Sequence, residues 1–142
     1  MDFTWLSRWQ PQVLALLRIV TGLLFLEHAT QKFLAFPIPF PVPGPLPPLL
    51  IAAGVIELVA GSLITIGLFT RWAAFIASGQ MAVGYFLKHF PKSPWPVANM
   101  GEAAILFCFI FLYLAAAGPG TWAIDNLRTR ELDDHASRRS IA

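Results

Sequence analysis

The chain has 142 residues, of which 56% are hydrophobic and only 13% charged, with 12 Pro, 12 Phe, 5 Trp and a mean hydropathy of +0.63. A soluble domain carries about a quarter charged residues, so this sequence has too little polar surface to cover a globule in water and reads as an all-α membrane protein. That balance excludes an ordinary soluble enzyme, a disordered chain and a nucleic-acid binder, and the net charge of +2 comes from basic residues at loop ends and in the tail.

About 20 apolar residues cross the hydrocarbon core as a helix. Four stretches qualify, Gln12–Leu34, Leu49–Phe69, Trp72–Phe90 and Asn99–Ala117, which predicts a four-helix transmembrane domain over residues 1–125. The first is expected to be retained rather than cleaved as a signal peptide: its apolar run is too long, Asp2 spoils a basic start, and no small-residue cleavage site precedes Glu27-His28. Between the first two spans, Phe36–Pro48 holds seven prolines in thirteen residues with mostly apolar neighbours. This predicts an extended strap lying on the bundle mouth. Pro47-Pro48 suit a first helical turn, whereas Pro91, Pro94, Pro96 and Pro119 cannot continue a helix. Residues 126–142 are polar and read as a cytoplasmic tail with a fraying helix.

Four spans put both termini and the Thr70-Arg71 turn on one side with Arg8, Arg71, Arg128, Arg130, Arg138 and Arg139, and leave Lys32, Lys88 and Lys92 on the other. The positive-inside rule then makes the termini cytoplasmic, in a bacterial-type inner membrane, and Trp5, Trp9, Trp72, Trp95 and Trp122 fall at span ends as an aromatic belt. Cys108 is the sole cysteine, so no internal disulfide, CxxC redox pair or CxxCH haem attachment exists.

Ionisable groups within spans are costly and by default face the bundle interior with a partner. Arg18, Thr21, Gly22, Phe25, His28, Ala29 and Lys32 share one face of the first span, with Glu27 opposite as a snorkelling or subunit-contact residue. Gly54, Glu57, Gly61 and Thr65 form a small-residue face on the second, and Glu102, Leu106, Phe109 and Tyr113 align on the fourth. Counted at about 1.5 Å per residue, Arg18 lies roughly 9 Å, Glu57 roughly 18 Å and His28 roughly 24 Å from the cytoplasmic end. Arg18–Glu57 or His28–Glu57 pairing is therefore feasible, as a structural ion pair or as a working site. The expected picture is a polar pocket opening outward under the strap, with Glu57 and Arg18 at its floor and Lys32, Glu102, Lys88 and His89 near the rim. A faint echo, Phe25-Leu26-Glu27-His28 against Phe86-Leu87-Lys88-His89, with Glu57 and Glu102 each after a Gly, hints at two equivalent hairpins and reads more readily as chance. No HExxH-type spacing supports a metal, and nothing supports haem.

Taken in order, LRIVTGLLFLEHATQK over Leu17–Lys32, AGVIELVAG over Ala53–Gly61, GLFTR over Gly67–Arg71 and AGPGTWAID over Ala117–Asp125 resemble the DoxX family of small four-helix membrane proteins. Ala29, where that pattern often has Gly, and Thr121, at an often basic position, are small departures. The resemblance implies a membrane component linked in some members to thiosulfate:quinone oxidoreduction and to complexes handling oxidative or thiol stress. It carries motif roles onto Arg18, His28, Lys32, Glu57, Arg71 and Asp125. Gly22, Gly54, Gly61, Gly118, Pro119 and Gly120 are read as structural motif positions.

No dinucleotide fingerprint, nucleophile elbow or P-loop is present, so the chain is expected to have no intrinsic cofactor and to need a borrowed electron carrier. The leading expectation is a redox-linked membrane subunit whose pocket binds quinone or a similar amphiphile. In it His28 and Lys32 donate to carbonyl oxygen, Glu57 relays protons, and Arg18 and Glu102 complete the ligand-binding set. A redox protein partner and homo-oligomerisation in the bilayer are further expectations. The rival is a non-enzymatic scaffold, partner-binding subunit or small-solute transporter.

Overall fold

The computed structural model describes residues 3–41 and 44–129. All regular secondary structure among them is helical. A 3-10 segment, Thr4–Trp9, runs into α1 (Gln10–Leu34), where Pro11 occupies the first turn. The strap follows, and α2 (Pro48–Ile66) begins on the expected prolines. Next come α3 (Thr70–Gly84), continued by a π-turn over Tyr85–His89, the single turn α4 (Pro96–Asn99) and α5 (Glu102–Ala117). Helical backbone resumes at residue 124. Of the polar tail, residues 130–142 lie outside the described residues.

The element ends differ from expectation for local reasons. The second span stops at Ile66 instead of Phe69, because Gly67 takes the left-handed conformation (φ 72°) and the Leu68 N–H returns to the Leu63 carbonyl, a Schellman-type ending. Thr70 then opens α3 two residues before the predicted start. The last helix begins at Glu102 because the Asn99 side chain bonds forward to the Gly101 N–H (2.7 Å) and back to the Ser93 carbonyl (2.8 Å), and Met100 sits at φ 56°.

Helix α1 packs on α2, α2 on α3 and α3 on α5, while Phe25 of α1 meets Phe107 and Phe111 of α5 to close the ring. The core is thin: Phe25, Ile64, Phe111 and Leu114 are set among Ala60, Ala73, Ala74 and Ala77. Glycines on both helices let α1 and α2 approach closely. A Cβ on Gly22 would lie 2.5 Å from Thr65 Oγ1, and one on Gly61 would lie 2.9 Å from Leu26 Cγ. Such small-residue contacts let helices associate where burial from water is not the driving force. The outer faces carry exposed Val13, Leu16, Val20, Phe75, Ile76, Leu106 and Phe109. An apolar surface this continuous needs a non-aqueous cover. Thr4–Leu34 and Pro48–Ile66 are each long and apolar enough to cross a membrane, and Glu102–Ala117 is a shorter apolar helix.

Candidate functional site

The sequence-predicted polar residues divide between the two ends of the bundle. At the end where the chain turns from α2 to α3, Arg18 is fully buried and spends its whole guanidinium on carbonyls. Nε donates to Pro119 (2.8 Å), Nη1 to Ile64 (2.7 Å) and Thr65 (2.6 Å), and Nη2 to Thr121 (3.3 Å) and Trp122 (2.8 Å). Those bonds match the five N–H groups of arginine. The expected Arg18–Glu57 pair is therefore not formed, because Arg18 reaches toward the end of α2 and the 119–122 loop and has no donor left for a carboxylate or a ligand.

Arg71 does the same for α5, donating to the carbonyls of Ala115 (2.9 Å), Ala116 and Ala117 (3.4 Å). Asp125 caps α3 from beyond the last helix: Oδ1 accepts from the Phe69 N–H (2.8 Å) and Oδ2 from the Thr70 N–H (2.9 Å). Burial pushes the Asp125 carboxyl up, but these N–H groups and nearby Arg128 outweigh it and hold the group below the usual carboxylate range. The loop between these caps needs glycine. Gly118 (φ 94°) lies against Arg71, and a Cβ on Gly120 (φ 70°) would stand 2.7 Å from the Pro11 carbonyl oxygen. Pro119 supplies one of the Arg18 acceptors. An open concavity of about 450 Å³ beside Asp125 is lined by Phe69, Arg71, Trp72 and Arg128.

At the strap end, Lys32 meets Glu57 in the one ion pair among the described residues, Nζ to Oε2 at 2.7 Å, with side chains 7% and 5% exposed. Gly54 makes this approach feasible, since its missing Cβ would sit 2.6 Å from the Phe33 ring and 3.3 Å from the Lys32 stem. Lys32 also donates to the His28 carbonyl (3.2 Å), and the Phe40 ring of the strap lies 5.3 Å from its ammonium. From α3, Gln80 Nε2 donates to Glu57 Oε1 (3.0 Å) and to the Ala53 carbonyl (3.3 Å). Gln80 Oε1 is buried without a partner. Sequence reasoning missed Gln80 because only ionisable groups were weighed; an amide inside an apolar span carries a comparable desolvation cost and was the available signal.

The polar cluster is closed rather than open under the strap, since the Lys32 and Glu57 side chains are almost wholly buried and the Phe40 ring of the strap stands against the Lys32 ammonium. His28 is exposed as a residue, with its ring edge-on to Phe107 at 6.0 Å, and makes no bond to Glu57. Glu102 is exposed in the first turn of α5 and joins neither Lys32 nor Glu57. His89 Nδ1 meets the Asn99 carbonyl at 3.0 Å. The two hairpins thus do not build equivalent His/Glu sites. Among the described residues no three His, Cys, Asp or Glu side chains gather as metal ligands.

The sequence pattern of the DoxX family matches residues 13–90. An uncharacterised protein of Haemophilus influenzae is 44% identical over 126 residues, covering 85% of this chain and 94% of its own. No solved structure matches. With more than half of its length matched and a relative this similar, the chain belongs to the DoxX family of membrane proteins.

Proposed function

We propose that this protein is a redox-linked subunit of a bacterial inner membrane, crossing it four times with both termini cytoplasmic, and that its Lys32–Glu57–Gln80 cluster receives the polar head of quinone or a similar small amphiphile. The observation that carries this reading is the buried Lys32–Glu57 pair itself. An ion pair taken out of water is an inefficient stabiliser compared with well-packed apolar residues, and the bundle is already tied at its other end by Arg18, Arg71 and Asp125. An intramembrane pair held by a third polar group is instead suited to accept and release a proton beside a ligand. In this reading Lys32 donates to a carbonyl oxygen, Glu57 relays the proton, and the exposed His28 exchanges it at the rim. Phe40 lifts from Lys32 to admit the head group. The electron carrier and a redox partner protein come from outside the chain, and copies of the chain associate through its apolar faces.

The test is the ultraviolet–visible spectrum of the protein purified in native lipid, before and after chemical reduction. A reducible band expected in the wild type is lost in Lys32→Met and Glu57→Gln. A redox-silent spectrum overturns the proposal in favour of a scaffold, partner-binding subunit or transporter, the reading that the closure of the cluster favours.

A further inference from the structure

Gln80 stands in an arrangement that the ion pair does not explain. Both groups that its amide nitrogen meets, Glu57 Oε1 and the Ala53 carbonyl, are acceptors. Turning the amide over would set its oxygen against two oxygens, so the network fixes which way it points. Its carbonyl oxygen is left buried with no hydrogen bond, and a buried acceptor without a donor is costly. Beside it, the Lys32 ammonium donates to Glu57 and to the His28 carbonyl. An ammonium has three N–H groups, so one remains for a ligand. The cluster thus offers one unmet acceptor and one spare donor, on the two side chains that hold the two oxygens of the same carboxylate.

A hydroxyl answers both needs, donating to Gln80 Oε1 while accepting from Lys32. A quinone carbonyl can only accept and leaves Gln80 unpaired. Resting on the function proposed above, we infer that Gln80 makes this site select a hydroxyl-bearing head group, the hydroquinone over the quinone. The preference amounts to one hydrogen bond, about five- to tenfold in affinity. It follows that the bound couple is easier to reduce than the free one, by about 30 mV for a tenfold preference.

The experiment uses the full chain in lipid nanodiscs with a decyl-substituted benzoquinone and its hydroquinone, titrated anaerobically and followed by the rise in unfolding temperature. The expected result is tighter binding of the hydroquinone, a ratio falling to near one in Gln80→Leu or Gln80→Met, and loss of both ligands in Lys32→Met. Equal wild-type binding of the two forms overturns the role of Gln80 and means that water satisfies its oxygen, while leaving the amphiphile site standing. Failure of both forms to bind overturns the amphiphile site and the role of Gln80 together. The wild-type ratio decides by itself if neither Gln80 variant folds.

Discussion

Replacing Arg18 by Met is predicted to destabilise the bundle by about 4 kcal/mol. The change removes all five guanidinium donors, but the Ile64 carbonyl keeps the Gly67 N–H at 3.2 Å, so the orphaned acceptors are those of Thr65, Pro119, Thr121 and Trp122. At about 1 kcal/mol for each, the sum is about 4 kcal/mol, or roughly 8–16 °C in unfolding temperature for a chain of this size. Arg18→Lys keeps the charge with three donors and loses about half as much. Reversible unfolding in mixed micelles, scored by loss of helix, measures both. The cycle with Glu57→Gln separates a cap from an ion pair: Arg18 and Glu57 share no partner, so their effects add to within about 0.5 kcal/mol. A coupling above about 1 kcal/mol, or an Arg18→Met protein as stable as the wild type, refutes the capping account.

Asp125→Asn removes the charged cap of α3 and costs about 1 kcal/mol at neutral pH. Because the folded carboxyl is held below its unfolded value, the stabilisation is complete above about pH 4 and disappears as pH falls through the folded value. Unfolding curves of wild type and variant therefore converge in acid, and a gap that persists there contradicts the assignment. Gly67→Ala, with φ 72° and a Cβ 2.5 Å from the Ala123 side chain, lowers the unfolding temperature, whereas Gly79→Ala, with open space around it inside α3, leaves it unchanged or raises it. Lys32→Met alone strands the buried Glu57 and costs about 3–5 kcal/mol, while the double change Lys32→Met with Glu57→Leu recovers most of that stability in the same assay.

Apolar runs bounded by proline made the long helices legible, since length and hydropathy together specify a span and Pro48 and Pro96 open the helices they were expected to open or interrupt. The partners of Arg18 were not legible. Counting depth along a helix ranks charged side chains against one another, and main-chain carbonyls, which satisfy Arg18 from two distant segments, leave no mark in the residue pattern. The same blindness hid the cap on α3, whose Asp125 lies more than fifty residues along the chain from the N–H groups it holds. Placing Lys32 on the inward stripe of the first span and Glu57 on the small-residue face of the second put both side chains inside the bundle, although Arg18 or His28 was the expected partner of Glu57. Choosing Lys32 over Arg18 as the partner of Glu57 required knowing that Gly54 clears room for the Lys32 stem.

The distances along the chain between Arg18 and its acceptors set an order of events during biosynthesis. Arg18 finds the Ile64 and Thr65 carbonyls once 47 further residues have been made, but the Pro119, Thr121 and Trp122 carbonyls follow 101 to 104 residues after it. At ribosomal rates of about 5–20 residues per second, the stretch of about 55 residues between the two sets takes roughly 3–11 s. Throughout it a guanidinium in an apolar setting holds only part of its final partners. The segment after α5 therefore acts as a closing stitch, and a nascent chain that stalls before residue 119 leaves the first helix with an unmet cation, the kind of defect by which an unfinished membrane protein is distinguished from a finished one.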